Sequence, residues 1–205
     1  MVITSVERNN RIKNSLMVYV DDKFSFSIDE EDYLTMNLYE MKDITEEQIN
    51  HIKYEYNYKK AKSKAVGFLS LRLRSEKEVL VKLKNEGFSD ETSYKVIEEL
   101  KSLGYLNDKL YAQKYIYDRC KLKPESRKLL IIELQKKGIS NDIINEVAED
   151  IEIDDYTVAE GLVRKKFGKY DLRDEKIVRR VYSFLHHRGY EFEFIGDLLE
   201  KINNK

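Results

Sequence analysis

The stretch "KLKNEGF", residues 82 to 88, has two close counterparts: "ELQKKGI" at residues 133 to 139 and "FLHHRGY" at residues 184 to 190. Their glycines, Gly87, Gly138 and Gly189, stand 51 residues apart in a chain of 205 residues that has only 8 glycines. A glycine just past a helix end takes the left-handed conformation at low cost, and the residue after it folds back onto the residue four positions before it. Those pairs are Leu83 with Phe88, Leu134 with Ile139 and Leu185 with Tyr190, all apolar among mostly polar or charged neighbours. Each stretch therefore reads as a helix stop with a hydrophobic latch. Leu100, Gly104 and Tyr105 repeat the device at the end of "DETSYKVIEELKSL".

Working outward, the same offset superimposes Val79, Leu130 and Val181, then Val96, Val147 and Leu198, then Leu100, Ile151 and Ile202. Apolar positions keep their phase across three copies. Residues from about 58 to 202 are thus expected to form three tandem units. Each has a leading helix, a helix that stops at the repeated glycine and a short closing helix, and stacking buries their shared faces. "TEEQ" at Thr45 to Gln48 and "SEKE" at Ser75 to Glu78 are capping boxes that open helices. After the first, Ile49, Ile52, Tyr56, Ala61, Ala65, Phe68 and Leu69 recur at helical spacing, with a break expected near Asn57.

The first 28 residues differ: "SLMVYV" and "FSFSI" are short, β-branched and aromatic, and joined by "DDK". They predict a β-hairpin, with "VITSVE" as a third strand and Phe24, Phe26 and Ile28 on one buried face. The acidic "DEEDYLTMN" predicts a short helix capped by Asp29.

Composition agrees with a largely helical protein: 37% of residues are charged, and there is one proline. No apolar run approaches the roughly 20 residues of a membrane span, and "MVITSVERNN" lacks the regions of a secretion signal. A cytosolic location is expected, and the single Cys120 agrees with a reducing compartment. The net charge of −1 conceals a pattern: residues 1 to 60 carry 8 basic against 12 acidic residues, and the basic residues beyond them bunch. The clusters are Arg72, Arg74, Lys77, Lys82 and Lys84; Arg119, Lys121, Arg127, Lys128, Lys136 and Lys137; and Arg164, Lys165, Lys166, Arg179, Arg180 and Arg188. Each leads into, or reaches, a repeated glycine motif.

"RLRSEKEVLVKLKNEGF", "VIEELKSLGYLNDKLYAQKYIYDR" and "SRKLLIIELQKKGI" together resemble the RecX family, bacterial regulators of the recombinase RecA. The resemblance spans nearly the whole chain, and Gly104 to Arg119 is its most specific piece. Departures are Ser126 in place of a usual glycine, Ile131 and Ile132 where polar residues are usual, and Leu73 where a proline is common. The resemblance implies binding along the groove of RecA nucleoprotein filaments and restraint of recombination and ATP hydrolysis. On that reading the basic clusters meet acidic RecA surface, filament DNA phosphates, or both. The bland reading of the same clusters is solvated helix surface.

Other residues attract simpler readings. His186 and His187 suit a helix C-terminus better than a metal, and His51 receives no role. Cys120 reads as an inert thiol, and Tyr111 and Tyr115 as a packed face rather than a base-stacking platform. No phosphate-cradling glycine loop or hydrolase signature is present, so no enzyme, cofactor or small-molecule substrate is expected. The reading is an α+β protein, predominantly α: a small N-terminal β-meander, then three tandem three-helix repeats in an elongated curved array. The segments are 1–44, 45–105, 106–152 and 153–205. A stand-alone DNA-binding module and an adaptor for another helical assembly are the alternative functions.

Overall fold

A computed structural model describes residues 1–10, 13–150 and 154–204. The chain divides into two compact units, Met1–Leu71 with Leu80–Leu100 and Arg72–Val79 with Lys101–Lys205. In the first, β1 (Ile3–Arg8), β2 (Ser15–Val20) and β3 (Lys23–Asp29) form an antiparallel sheet in that order. Asp21 and Asp22 join β2 to β3 with φ of 49° and 61°. Two positive φ values in a two-residue turn match the twist of the flanking strands, and Asp tolerates them better than most side chains.

Phe26 and Ile28 face the core as expected, whereas Phe24 is 57% exposed. The pairing steps from Val18–Phe26 to Tyr19–Phe24, so β3 spends one extra residue there. That bulge breaks the alternation of faces and leaves Phe24 edge-on to the Tyr19 ring at 6.0 Å. Helix α1 (Glu30–Thr35) follows, but Asp29 makes no side-chain cap. Its carboxylate accepts from the Tyr56 hydroxyl at 3.0 Å instead.

The sheet is covered by α2 (Glu46–Leu69), which sets Ile49 and Ile52 against Val18, Phe26, Ile28, Leu38 and Ile44. Both bonds of the Thr45–Gln48 capping box are present. The helix runs unbroken for 24 residues, so the expected break at Asn57 is absent. Asparagine is only a weak helix former, and the flanking turns are tied down. Lys59 pairs with Asp32, and Tyr58 and Lys62 both reach Glu99.

Helices α3 (Glu76–Asn85) and α4 (Asp90–Ser102) complete the first helical repeat. The second contains α5 (Asp108–Leu122), α6 (Arg127–Lys136) and α7 (Asn141–Asp150). The third contains α8 (Asp155–Phe167), α9 (Glu175–His186) and α10 (Phe192–Asn203). Each of the last two repeats has its own core. Tyr111, Ile116, Leu130, Leu134, Ile144 and Val147 cluster in one, and Val163, Phe167, Val181, Leu185, Ile195 and Leu198 in the other. Val79, Leu130 and Val181 are all buried, as their shared phase requires, while Ile151 lies outside the described residues.

The glycine stops form as read. Gly87, Gly138 and Gly189 have φ of 88°, 87° and 84°. The amides of Phe88, Ile139 and Tyr190 donate to the carbonyls of Leu83, Leu134 and Leu185 at 3.2, 3.1 and 3.3 Å. The three leucines are fully buried, which stabilises each latch by about 2 kcal/mol relative to an exposed side chain. Gly104 also has positive φ, 76°, but its latch does not close: Tyr105 is 62% exposed and Leu106, one residue on, is buried instead.

Candidate functional site: cationic clusters at the repeat joints

Within the second unit, the start of α3 meets the second repeat and the start of α6 meets the third, each through a helix-capping serine and an aspartate that accepts from the first helical amide. Ser75 caps α3 by accepting from the Glu78 amide at 3.2 Å, while its hydroxyl donates to the Lys137 carbonyl at 2.7 Å. The Glu76 amide donates to Asp108 at 2.9 Å, and the Lys77 ammonium reaches the Lys136 carbonyl at 3.1 Å. At the next joint Ser126 caps α6, its own amide donates to the Arg188 carbonyl at 2.9 Å, and the Arg127 amide donates to Asp155 at 2.9 Å. Burial pushes both aspartates above the ordinary carboxylate value.

The repeated glycines serve these joints. A Cβ on Gly138 would stand 2.5 Å from the Lys77 Cβ, and one on Gly189 would stand 2.5 Å from the Ser126 hydroxyl and 2.6 Å from the Leu129 Cβ. Gly87 has open space at the same position. Its only conformational demand is the backbone one.

The joints also consume charge. Glu78 takes Lys137 at 3.0 Å and Arg72 at 3.2 Å. Burial pushes Glu78 up, but Lys137, the Ser75 amide and Arg72 outweigh it and hold the carboxyl below its ordinary value. Lys128 pairs with Glu191 across the second joint. Further cations from the sequence reading are paired within their own repeats: Lys82 with Glu86, Lys84 with Asp90, Arg119 with Glu133, Arg164 with Glu160 and Arg179 with Glu175. Arg74 is half-buried, and Lys121 bonds the Tyr117 hydroxyl. Arg127, Lys136 and Lys165 are exposed.

A different arrangement holds in the third repeat. Lys166, Arg180 and Arg188 gather with Ser183 and His187 around Phe167 and Phe184, lining a cleft of about 320 Å³ with no carboxylate among its walls. The Lys166 ammonium and the Arg188 guanidinium sit 4.0 and 3.9 Å from the Phe184 ring centre. Arg180 lies 5.8 Å from the Phe167 ring and 5.6 Å from Tyr170. Aromatic faces hold cations without neutralising them, so this cluster presents net positive charge to the surface. His187 bonds the Ser183 carbonyl at the end of α9 as expected, whereas His186 meets the Tyr190 carbonyl beyond the helix at 3.3 Å and Arg188 donates to the Phe184 carbonyl.

The residues that sequence reasoning missed are the acidic partners Glu78, Asp108, Asp155 and Glu191. A signal existed: Ser75 and Ser126 stand one repeat apart, each opening a helix. Tyr111 and Tyr115 stack at 6.0 Å on a packed face. Burial raises the Cys120 thiol, away from the nucleophilic thiolate. Among the described residues no group of three or more His, Cys, Asp or Glu is placed to hold a metal ion. None of their helices is long and apolar enough to cross a membrane.

A sheet-bearing N-terminal region followed by three helical repeats with serine–glycine joints defines a tandem three-helix repeat protein, with a cationic cluster on its third repeat. Family models match along it: the regulatory protein RecX N-terminal domain at residues 1–45, and the RecX first, second and third three-helix domains at 61–100, 107–147 and 152–199. Regulatory protein RecX of Clostridioides difficile (strain 630) is 32% identical over 205 residues, covering 99% of this chain and 96% of that one. Regulatory protein RecX of Clostridium perfringens (strain 13 / Type A) is 31% identical, covering 98% and 96%. The chain belongs to the RecX family of regulatory proteins. A crystal structure of regulatory protein RecX shares the fold over 100% of this chain and 99% of that chain, with a TM-score of 0.66 at 22% identity. RecX from Lactobacillus salivarius aligns with 73% of this chain and 98% of its own, with a TM-score of 0.60 at 21% identity.

Proposed function

We propose that this chain is a cytoplasmic regulator of RecA, chiefly an inhibitor, that lies along the groove of RecA nucleoprotein filaments and restrains ATP hydrolysis and strand exchange in homologous recombination and DNA repair. Membership of the RecX family supports the reading, and it requires no cofactor. The observation in this chain that carries it is the third-repeat cluster of Lys166, Arg180 and Arg188, held on aromatic rings with no carboxylate among the described residues that line its cleft. Such a surface attracts either filament phosphates or acidic protein. A tandem-repeat protein suits a polymeric partner, because several weak contacts to one polymer combine into an occupancy far tighter than any one of them gives.

The test is RecA ATPase on single-stranded DNA with this protein titrated in. Substoichiometric inhibition points to filament ends, near-stoichiometric inhibition to groove occupancy, and unchanged ATPase at saturation removes the proposal. The same cluster also favours a second reading, a DNA-binding module that acts without RecA. Strong, salt-sensitive binding to DNA alone with no effect on RecA selects it.

A further inference from the structure

The first unit carries a surface of opposite character. A trough of about 980 Å³ runs between the segment after α1, the first turns of α2 and the start of α4. Met36, Leu38, Met41 and Ile52 make its floor, and Glu47, Glu55 and Glu91 stand at its rim. Leu38 and Ile52 are buried beneath, while the two methionines are half-buried and reach its surface. None of the residues lining it is a lysine or arginine.

Each feature narrows the occupant. The rim carboxylates repel phosphate, which excludes nucleic acid. The volume is at the top of the range for small-ligand pockets, yet no buried cluster of polar groups converges on one point, as orientation of a small molecule would require. An apolar floor of flexible thioethers suits a row of apolar side chains on a helix, and the acidic rim suits basic residues flanking that row. The rim field already acts on a cation. Lys95 lies 4.7 Å from the Tyr54 ring, and its ammonium is held above the ordinary value by its Tyr54 hydrogen bond and by Glu55 and Glu91. Helix α9, basic and amphipathic, is not that occupant, since its Ile177, Val181 and Leu185 are buried in the third-repeat core.

We infer that this trough is a docking site for a basic amphipathic helix of a partner protein, its apolar stripe on Met36 and Met41 and its cations against Glu47, Glu55 and Glu91. The proposal does not rest on the RecA reading, because it concerns a different surface of opposite charge.

The chain has four methionines, Met1, Met17, Met36 and Met41, of which only the last two line the trough. Carbon-13 labelling of the methionine methyls therefore reports occupancy directly. The probe is a synthetic peptide of about four helical turns with leucines on one face and lysines on the other, alongside a twin in which glutamate replaces lysine. Titration of the lysine peptide is expected to shift the Met36 and Met41 methyls while Met1 and Met17 stay still, and high salt should weaken binding. The E47K/E55K/E91K variant, with circular dichroism unchanged, should bind about tenfold or more weakly. Equal shifts with the glutamate peptide, shifts spread over all four methyls, or undiminished binding by the folded variant would overturn the proposal. So would dilution-dependent movement of the Met36 and Met41 methyls without peptide, which would assign the trough to a second copy of this chain. If the triple variant does not fold, the salt dependence and the glutamate twin on the unmodified chain decide the question.

Discussion

Gly138 is packed against Lys77 so closely that an added Cβ would lie 2.5 Å from the Lys77 Cβ. A Cβ is fixed to its helix and cannot swing away, so the contact requires glycine for space as well as for its φ of 87°. Gly189 is in the same position against Ser126 and Leu129, whereas Gly87 is constrained by φ alone. Gly87→Ala should cost about 1 kcal/mol. Gly138→Ala and Gly189→Ala add overpacking and should cost about 3 kcal/mol. Urea denaturation of the three variants checks the ranking, and equal losses would show that the joints yield to an extra methyl.

The two joint serines are not equivalent. Ser75 uses its hydroxyl twice, as acceptor for its own helix and as donor to the Lys137 carbonyl, and it is fully buried. Ser126 caps with its hydroxyl but crosses the joint with its backbone amide. Ser75→Ala therefore loses a cap and leaves a joint carbonyl without its donor, about 2 to 3 kcal/mol, while Ser126→Ala loses a cap worth about 1 kcal/mol. Equilibrium unfolding measures both.

Much of this was legible from spacing alone. Glycine periodicity, both capping boxes and the hairpin are local features, set by backbone sterics and hydrogen bonds within a few residues. What escaped is tertiary. The bulge that exposes Phe24 depends on the partner strand, and Asp29 trades its cap for Tyr56, 27 residues away. The run through Asn57 is held by partners on α1 and α4. The cationic clusters could be seen as composition, but not which members were neutralised, because Glu78 and Glu191 arrive from a neighbouring repeat.

The joint carboxylates predict opposite pH behaviour. Glu78 has a folded pKa below its ordinary 4.5, so its contribution is present above that value and is lost as pH falls through the folded pKa. Asp108 has a folded pKa above its ordinary 3.8, so its proton is favoured in the folded state and its effect is a loss of stability as pH rises from 3.8 through the folded value. Glu78→Gln should destabilise at pH 7 and little at acid pH. Asp108→Asn keeps an acceptor for the Glu76 amide and should hold or raise stability at pH 7. Thermal melts of both variants across the acid range check the signs.

Compensated and uncompensated cations stand side by side in the third repeat. Arg164 and Arg179 each pair with a glutamate one turn back, at 2.6 and 3.5 Å, so binding a partner through them means breaking or sharing that pair. Lys166 and Arg180 face only aromatic rings among their described contacts, and removing them leaves no orphaned carboxylate. On the proposed RecA reading, K166A/R180A should weaken inhibition of RecA ATPase by roughly tenfold or more, with the helical circular-dichroism signal unchanged, and R164A/R179A should change that inhibition little. If the contacts are to DNA phosphates, K166A/R180A also lowers the salt slope of filament binding by about two. A slope that stays the same while inhibition falls assigns the pair to acidic protein surface. Full inhibition by the folded K166A/R180A variant removes this cluster from the filament contact altogether.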